Sequence, residues 1–188
     1  MSALELLLIG ALGFMVYKAV TTDNITLSIE AALESYFTPF NPGIVQKGWI
    51  KLFNDSEKAV SIAQLIFKIS DKQITQSTQY AKEVFTSSLA NNPLTMNLSY
   101  GGKLYSANND KITLTPADLD LNLPAHASLG FDMQVQAVMY APAESPIVVT
   151  PNFDRAPFIC NIDVEVILTN GDVMKLTVPV PFSNVKEA

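Results

Sequence analysis

The 188-residue sequence predicts an all-β fold: an antiparallel β-sandwich or jelly roll preceded by one N-terminal transmembrane helix. Three observations predict it. An apolar run opens the chain, apolar and polar residues then alternate with period two, and turn residues interrupt that alternation every ten to fifteen positions or so, roughly the spacing of short strands. No helical periodicity is interleaved with the strands, which argues against a parallel α/β sheet. The chain divides into an anchor over residues 1–22 and a single sandwich domain over residues 23–188.

The anchor rests on Leu6, Leu7, Leu8, Ile9, Leu12, Phe14, Met15 and Val16, within a run from Leu6 to Val16 that has no polar side chain. At about 1.5 Å per residue, a helix from Ala3 to Val20 would span roughly 27 Å, against a hydrocarbon core of about 30 Å. Tyr17 and Lys18 suit the interface, the lysine stem reaching back to the headgroups. Glu5 lies within a turn of the positive helix end. A cleaved signal peptide competes with this reading, but it needs a basic leader where only Glu5 stands. Lys18-Ala19-Val20-Thr21-Thr22 is also a poor cleavage site. A buried core helix competes too, and would carry a polar stripe that Leu6 to Val16 lacks. Gly10 and Gly13 would let another helix approach, although not at GxxxG spacing.

After Asp23-Asn24 the period becomes two. Ile25, Leu27 and Ile29 alternate with Thr26, Ser28 and Glu30, as a half-buried strand requires. Asn41-Pro42-Gly43 marks a turn, and an extended pattern resumes from Ile44 to Phe53, closing at Asn54-Asp55-Ser56. Residues 59–69 are apolar in both phases, which fits a central strand or a short helix. Residues 73–93 give no clear pattern. Alternation returns from Leu94 to Tyr100, stops at Gly101-Gly102, and reappears at Ile112 and Leu114. Leu129 to Met139 form one apolar face whose other side carries Asp132, Gln134 and Gln136. Phe158 to Leu168 and Met174 to Val180 flank Asn170-Gly171, the signature of a two-residue type I′ hairpin with positive φ at both positions. Pro179 lacks an N–H and suits an edge or a strand end. Ala141 to Pro146 is the nearest approach to a linker.

Composition limits function. Twelve basic and eighteen acidic residues give a net charge of −6, and Arg155 is the only arginine. Phosphate backbones select basic, arginine-rich surfaces, so direct nucleic-acid binding is not expected. His126 and Cys160 are the only residues of their kinds. A dyad between them is conceivable, but Cys160 falls on the apolar side of its strand, where a thiol behaves as a small buried group. One histidine and one cysteine do not make a zinc tetrad. Asp118, Asp120 and Asn122 have the spacing that opens a calcium loop, yet Leu123 and Leu129 stand where its glycine and glutamate belong. No nucleotide, hydrolase or metalloprotease motif occurs. The expectation is a non-enzymatic protein without cofactor or metal, with a lipid bilayer and neighbouring structural proteins as partners.

Two resemblances bear on function. The segment Ile50 to Ile69, then Tyr100-Gly101-Gly102-Lys103-Leu104-Tyr105, then Leu121-Asn122-Leu123-Pro124-Ala125 leading into the Leu129 strand, resembles the type-2 late-embryogenesis-abundant proteins. Phe53-Asn54 stands where that family has an Asn-Pro pair. The resemblance covers about half the chain and implies a fibronectin-III-like sandwich with a binding or stress-protective role at a cell envelope. By layout alone, the chain also resembles minor capsid proteins of membrane-containing icosahedral bacteriophages, in which a short membrane segment precedes a β-domain lodged in the shell. That resemblance implies a structural protein that tethers the virion membrane to the capsid, and it is the one we favour.

Overall fold

The computed structural model describes residues 2–10, 13–22, 24–38, 43–74, 94–108, 111–138, 158–181 and 186–187. Among these the chain forms β1 (Ser2–Gly10), β2 (Gly13–Thr22), β3 (Ile25–Thr38), β4 (Gly43–Asn54), β5 (Val60–Ile74), β6 (Thr95–Tyr100) and β7 (Lys103–Asn108). It continues with β8 (Lys111–Leu114), β9 (Asn122–Leu123), β10 (Ser128–Val138), β11 (Phe158–Leu168), β12 (Val173–Pro181) and β13 (Lys186–Glu187). The larger sheet runs β1-β2-β3-β4-β10-β6-β7, with β13 beside β3, and the smaller runs β12-β11-β5-β8, with β9 beside β5. Among the described residues all pairings are antiparallel except β13 with β3. The molecule is an all-β, two-sheet antiparallel sandwich.

Alternation explains the packing. Leu27, Ile29, Ala31 and Leu33 of β3, Ile50 and Leu52 of β4, and Phe131, Met133 and Val135 of β10 line the inner face of the larger sheet. Ile162, Val164 and Val166 of β11 and Leu176, Val178 and Val180 of β12 line the other. Phe67 of β5 meets Phe131 of β10 edge-on, with centroids 5.5 Å apart and planes at 75°. That geometry suits the ring quadrupoles and joins the two sheets at mid-core.

The double-phase apolar stretch at 59–69 is a central strand, and a β-bulge accounts for its pattern. On β11, Ile167 pairs with Gln64, but the next residue, Leu168, pairs with Ile62. Ala63 is therefore the extra residue, and it shifts the inward phase by one. Val60 and Ile62 point inward before it, Leu65, Phe67 and Ile69 after it, and all five are buried. One inner face is thus written in two phases.

Two expectations need correction. The first is the N-terminal helix: Ser2–Gly10 and Gly13–Thr22 are strands, paired in register from Ser2↔Thr21 to Gly10↔Gly13. The physical reason lies at Asn24, whose φ of +64° reverses the chain so that β2 runs back along β3 from Thr22↔Ile25 to Phe14↔Leu33. The ladder then satisfies the backbone groups that a helix would satisfy internally. Ala19 and Val20 are buried at the sandwich end of β2, and β12 packs across from this strand. Among the described residues, no helix is long and apolar enough to cross a membrane.

The second correction concerns the turn between β11 and β12. Only Gly171 has positive φ there, +91°, and Asn170 does not. Gly171 N–H donates to Leu168 C=O at 3.0 Å, and Leu168 N–H donates to Asp172 C=O at 2.9 Å. This is a three-residue loop closed by a glycine bulge rather than a type I′ turn. Asn170 Oδ1 accepts from Asp172 N–H at 3.0 Å, so the asparagine acts through its side chain instead of its φ angle. Most of the unpatterned stretch 73–93, and all of Ala141 to Pro146, lie outside the described residues.

Candidate functional site

The structure separates the two residues with the most chemical potential. His126 lies in the loop before β10 with φ +56°, its Nε2 3.3 Å from Glu57 Oε2, and these side chains are 60% and 89% exposed. Cys160 is wholly buried in the core, on the inner face of β11. The acidic series is dispersed into local bonds. The Asp118 carboxylate accepts from Thr115 N–H at 2.8 Å and from Thr115 Oγ1 at 2.9 Å. The Thr115 backbone bond, then its hydroxyl, hold that carboxyl below its ordinary value, with Lys103 adding a smaller charge effect. Asp120 Oδ1 accepts from Asn122 N–H at 2.9 Å, and Asn122 Oδ1 pairs with Ser61 Oγ at 3.1 Å. Among the described residues, no group of three His, Cys, Asp or Glu side chains is placed to hold a metal ion.

Asn54 is a structural residue that its sequence position reveals only as part of a turn. It is 0% exposed, and its Nδ2 donates to the carbonyls of Lys58 at 2.7 Å, Pro124 at 2.9 Å and Leu123 at 3.1 Å. Its Oδ1 accepts from Ser56 N–H at 3.0 Å, the Asx pattern that Asn-x-Ser after a strand can signal. Ser56 Oγ in turn accepts from Thr26 N–H at 2.7 Å. One amide thereby ties the β4–β5 loop to the loop before β10, and Ser56 extends the tie to the start of β3.

The outer face of the larger sheet carries a groove of about 350 Å³ across β4, β10, β6 and β7. Register builds it in two rows. Asp132 of β10 pairs with Ser99 of β6, and Ser99 with Leu104 of β7. One step along, Lys47 of β4 pairs with Gln134 and Gln134 with Asn97. Gly48 and Met133 complete the lining. Leu104 is 65% exposed, an apolar side chain at the rim of polar surroundings. Beside the groove, Trp49 pairs with Asp132, and Lys51 Nζ lies 4.7 Å from the Trp49 ring centroid, a cation–π contact.

No family model matches the chain, and no curated protein matches it. Among solved structures, it is similar to Northeast Structural Genomics Consortium target SoR45, with 12% identity over 86% of this chain and 87% of that one, and a TM-score of 0.38. It is also similar to ACE19, the collagen-binding subdomain of the Enterococcus faecalis surface protein ACE. There the identity is 10% over 73% of this chain and 87% of the other, with a TM-score of 0.24. Neither likeness bears on function.

Proposed function

We propose that this chain is a non-enzymatic structural protein that ties a viral membrane to the surrounding capsid, as a minor capsid or vertex-associated protein of a membrane-containing icosahedral bacteriophage. The observation that carries this reading is the position of the apolar segment. Leu6 to Gly10 lie on β1 and Gly13 to Val16 on β2, at the end of the larger sheet, with no strand beyond β1 among the described residues, and Leu12 lies outside those residues. The two strands can therefore leave together from the end of the sheet, drawing Ala19 and Val20 out of the core with them.

In a bilayer, a two-stranded hairpin with an open edge strands its backbone groups in hydrocarbon, whereas a helix satisfies them internally. In lipid, residues 3–20 form that helix, with Tyr17 and Lys18 at the interface. Only Thr21 to Asn24 then separate the membrane from β3, so the sandwich sits directly on the lipid surface. Lysines are scattered along the sequence without a basic cluster, and headgroup attraction is correspondingly weak. Neighbouring shell proteins, or further copies of the chain, fix the position of the domain.

A second reading, a cell-envelope sandwich of the late-embryogenesis-abundant type, has one observation in its favour. The segments that carry that resemblance form a β6–β7 hairpin turning at Gly101-Gly102 and a lead into strand β10, elements of one sandwich sheet. Location separates the two. Purified membrane-containing virions should hold the protein at constant stoichiometry, retained with membrane and shell. Its absence from such virions, or a monomeric, mobile protein in a cellular envelope, would replace the first reading with the second.

A further inference from the structure

We infer that the groove on the outer face of the larger sheet is a binding site for a neutral saccharide. This does not rest on the structural role proposed above. Asp132 offers two acceptor oxygens, Lys47 offers donors only, and Asn97, Gln134 and Ser99 each both donate and accept. Donors and acceptors are thus mixed over two neighbouring cross-strand rows, where directly opposed residues stand about 5 Å apart. A ligand that satisfies this set must itself present several groups that donate and accept at short spacing. Neighbouring sugar hydroxyls do so, and the exposed Leu104 side chain offers an apolar rim for the C–H face of a ring.

Charge and backbone geometry exclude the main rivals. The lining carries one carboxylate and one ammonium, so its formal charges cancel, and Asp132 would repel phosphate, sulfate or a second carboxylate. An apolar partner would bury Asp132, Asn97, Ser99 and Gln134 away from water without hydrogen bonds, at a cost for each. An extended peptide that adds a strand would do so along the outer edge of β7 and not over the face of β10, which is paired with β4 on one side and β6 on the other. The volume, about 350 Å³, lies near the small end of the roughly 300–1,000 Å³ range of ligand pockets. A short saccharide fits that space.

The test applies the full-length protein to an array of neutral mono- and oligosaccharides, with sialylated and sulfated glycans as charged comparators. Binding to neutral sugars is expected to weaken at least about tenfold in Asp132→Ala and in Gln134→Ala. It should be unchanged in Asp163→Asn, on the outer face of the smaller sheet. In unsubstituted protein, the strongest neutral sugar should shift the side-chain amide NMR signals of Asn97 and Gln134. Absence of binding, preference for the charged glycans, or binding that leaves those amides and both groove variants unaffected would overturn the assignment.

Discussion

Asn54 is wholly buried and uses both ends of its amide, donating to three carbonyls and accepting from Ser56 N–H. Truncation to alanine leaves buried carbonyls unmet, so Asn54→Ala should cost about 3 kcal/mol in urea unfolding, within the usual range for such losses. Asn54→Asp keeps the shape but sets an acceptor-only carboxylate against those carbonyls, so it should cost at least as much; a tolerated aspartate would mean that volume alone matters. Gly171 owes its place to φ +91°, and Gly171→Val should cost roughly 1–3 kcal/mol through backbone strain, read as a drop in Tm. Asp118 makes a pH prediction. Thr115 holds its carboxyl below the ordinary value, so the unfolded chain takes up the proton first as pH falls. The contribution to stability is complete above about pH 3.9, the ordinary aspartate value, and is lost as pH falls through the lower folded value. An NMR titration should place the Asp118 midpoint below that of a free aspartate, and Thr115→Val should raise it towards the ordinary value. A midpoint unmoved by that substitution would contradict the Thr115 account.

Strands whose sequence alternates cleanly are also those that the structure shows: Leu129 and Phe131 point inward on β10 while Asp132 and Gln134 point outward. Legibility fails where alternation is interrupted or saturated. In β5 the extra Ala63 hides a single inner face under two phases, and nothing local in the sequence marks the bulge. Deleting Ala63 should turn Val60 and Ile62, each 2% exposed, to the outer face. At about 1.5–3 kcal/mol per side chain, chemical denaturation should register a loss of roughly 3 kcal/mol or more. An unchanged midpoint would mean that the bulge does not set the register. From Leu6 to Val16 every residue is apolar or glycine, so composition carries no period, and helix and strand satisfy it equally. At Asn170-Gly171 the sequence marks the hairpin, whereas the loop length depends on the pairing of Ile167 with Val173. The groove was half visible. Asp132 and Gln134 stand out as outward residues of one strand, but Lys47, Asn97, Ser99 and Leu104 join them only through the order β4-β10-β6-β7, which no local pattern encodes.

At the scale of the whole molecule, two sheets bury one core, while Leu6 to Gly10 and Gly13 to Val16 of the most apolar stretch lie on β1 and β2 at the end of the larger sheet. The proposed function depends on that hairpin exchanging its ladder for a helix when lipid is present. Release would leave β3 open from Ile25 to Leu33 as the edge beside the membrane, with β13 still beside Tyr36 and Phe37 and the polar groove on β4, β10, β6 and β7 further across the same sheet. Protein neighbours would have to cover the new edge, because an unpaired strand invites non-specific pairing. On this proposal membrane attachment and assembly are linked, and both turn on the conformation of residues 3–20. The most direct measurement scans single nitroxide labels along Leu6 to Val16 of the full chain in lipid vesicles and records accessibility to oxygen and to a water-soluble relaxant. A spanning helix predicts labels shielded from water, with oxygen accessibility repeating about every 3.6 residues. Accessibility that alternates with a period of two, or labels reached freely from the aqueous phase, would mean that the hairpin remains in the sheet and that the chain is not anchored by this segment.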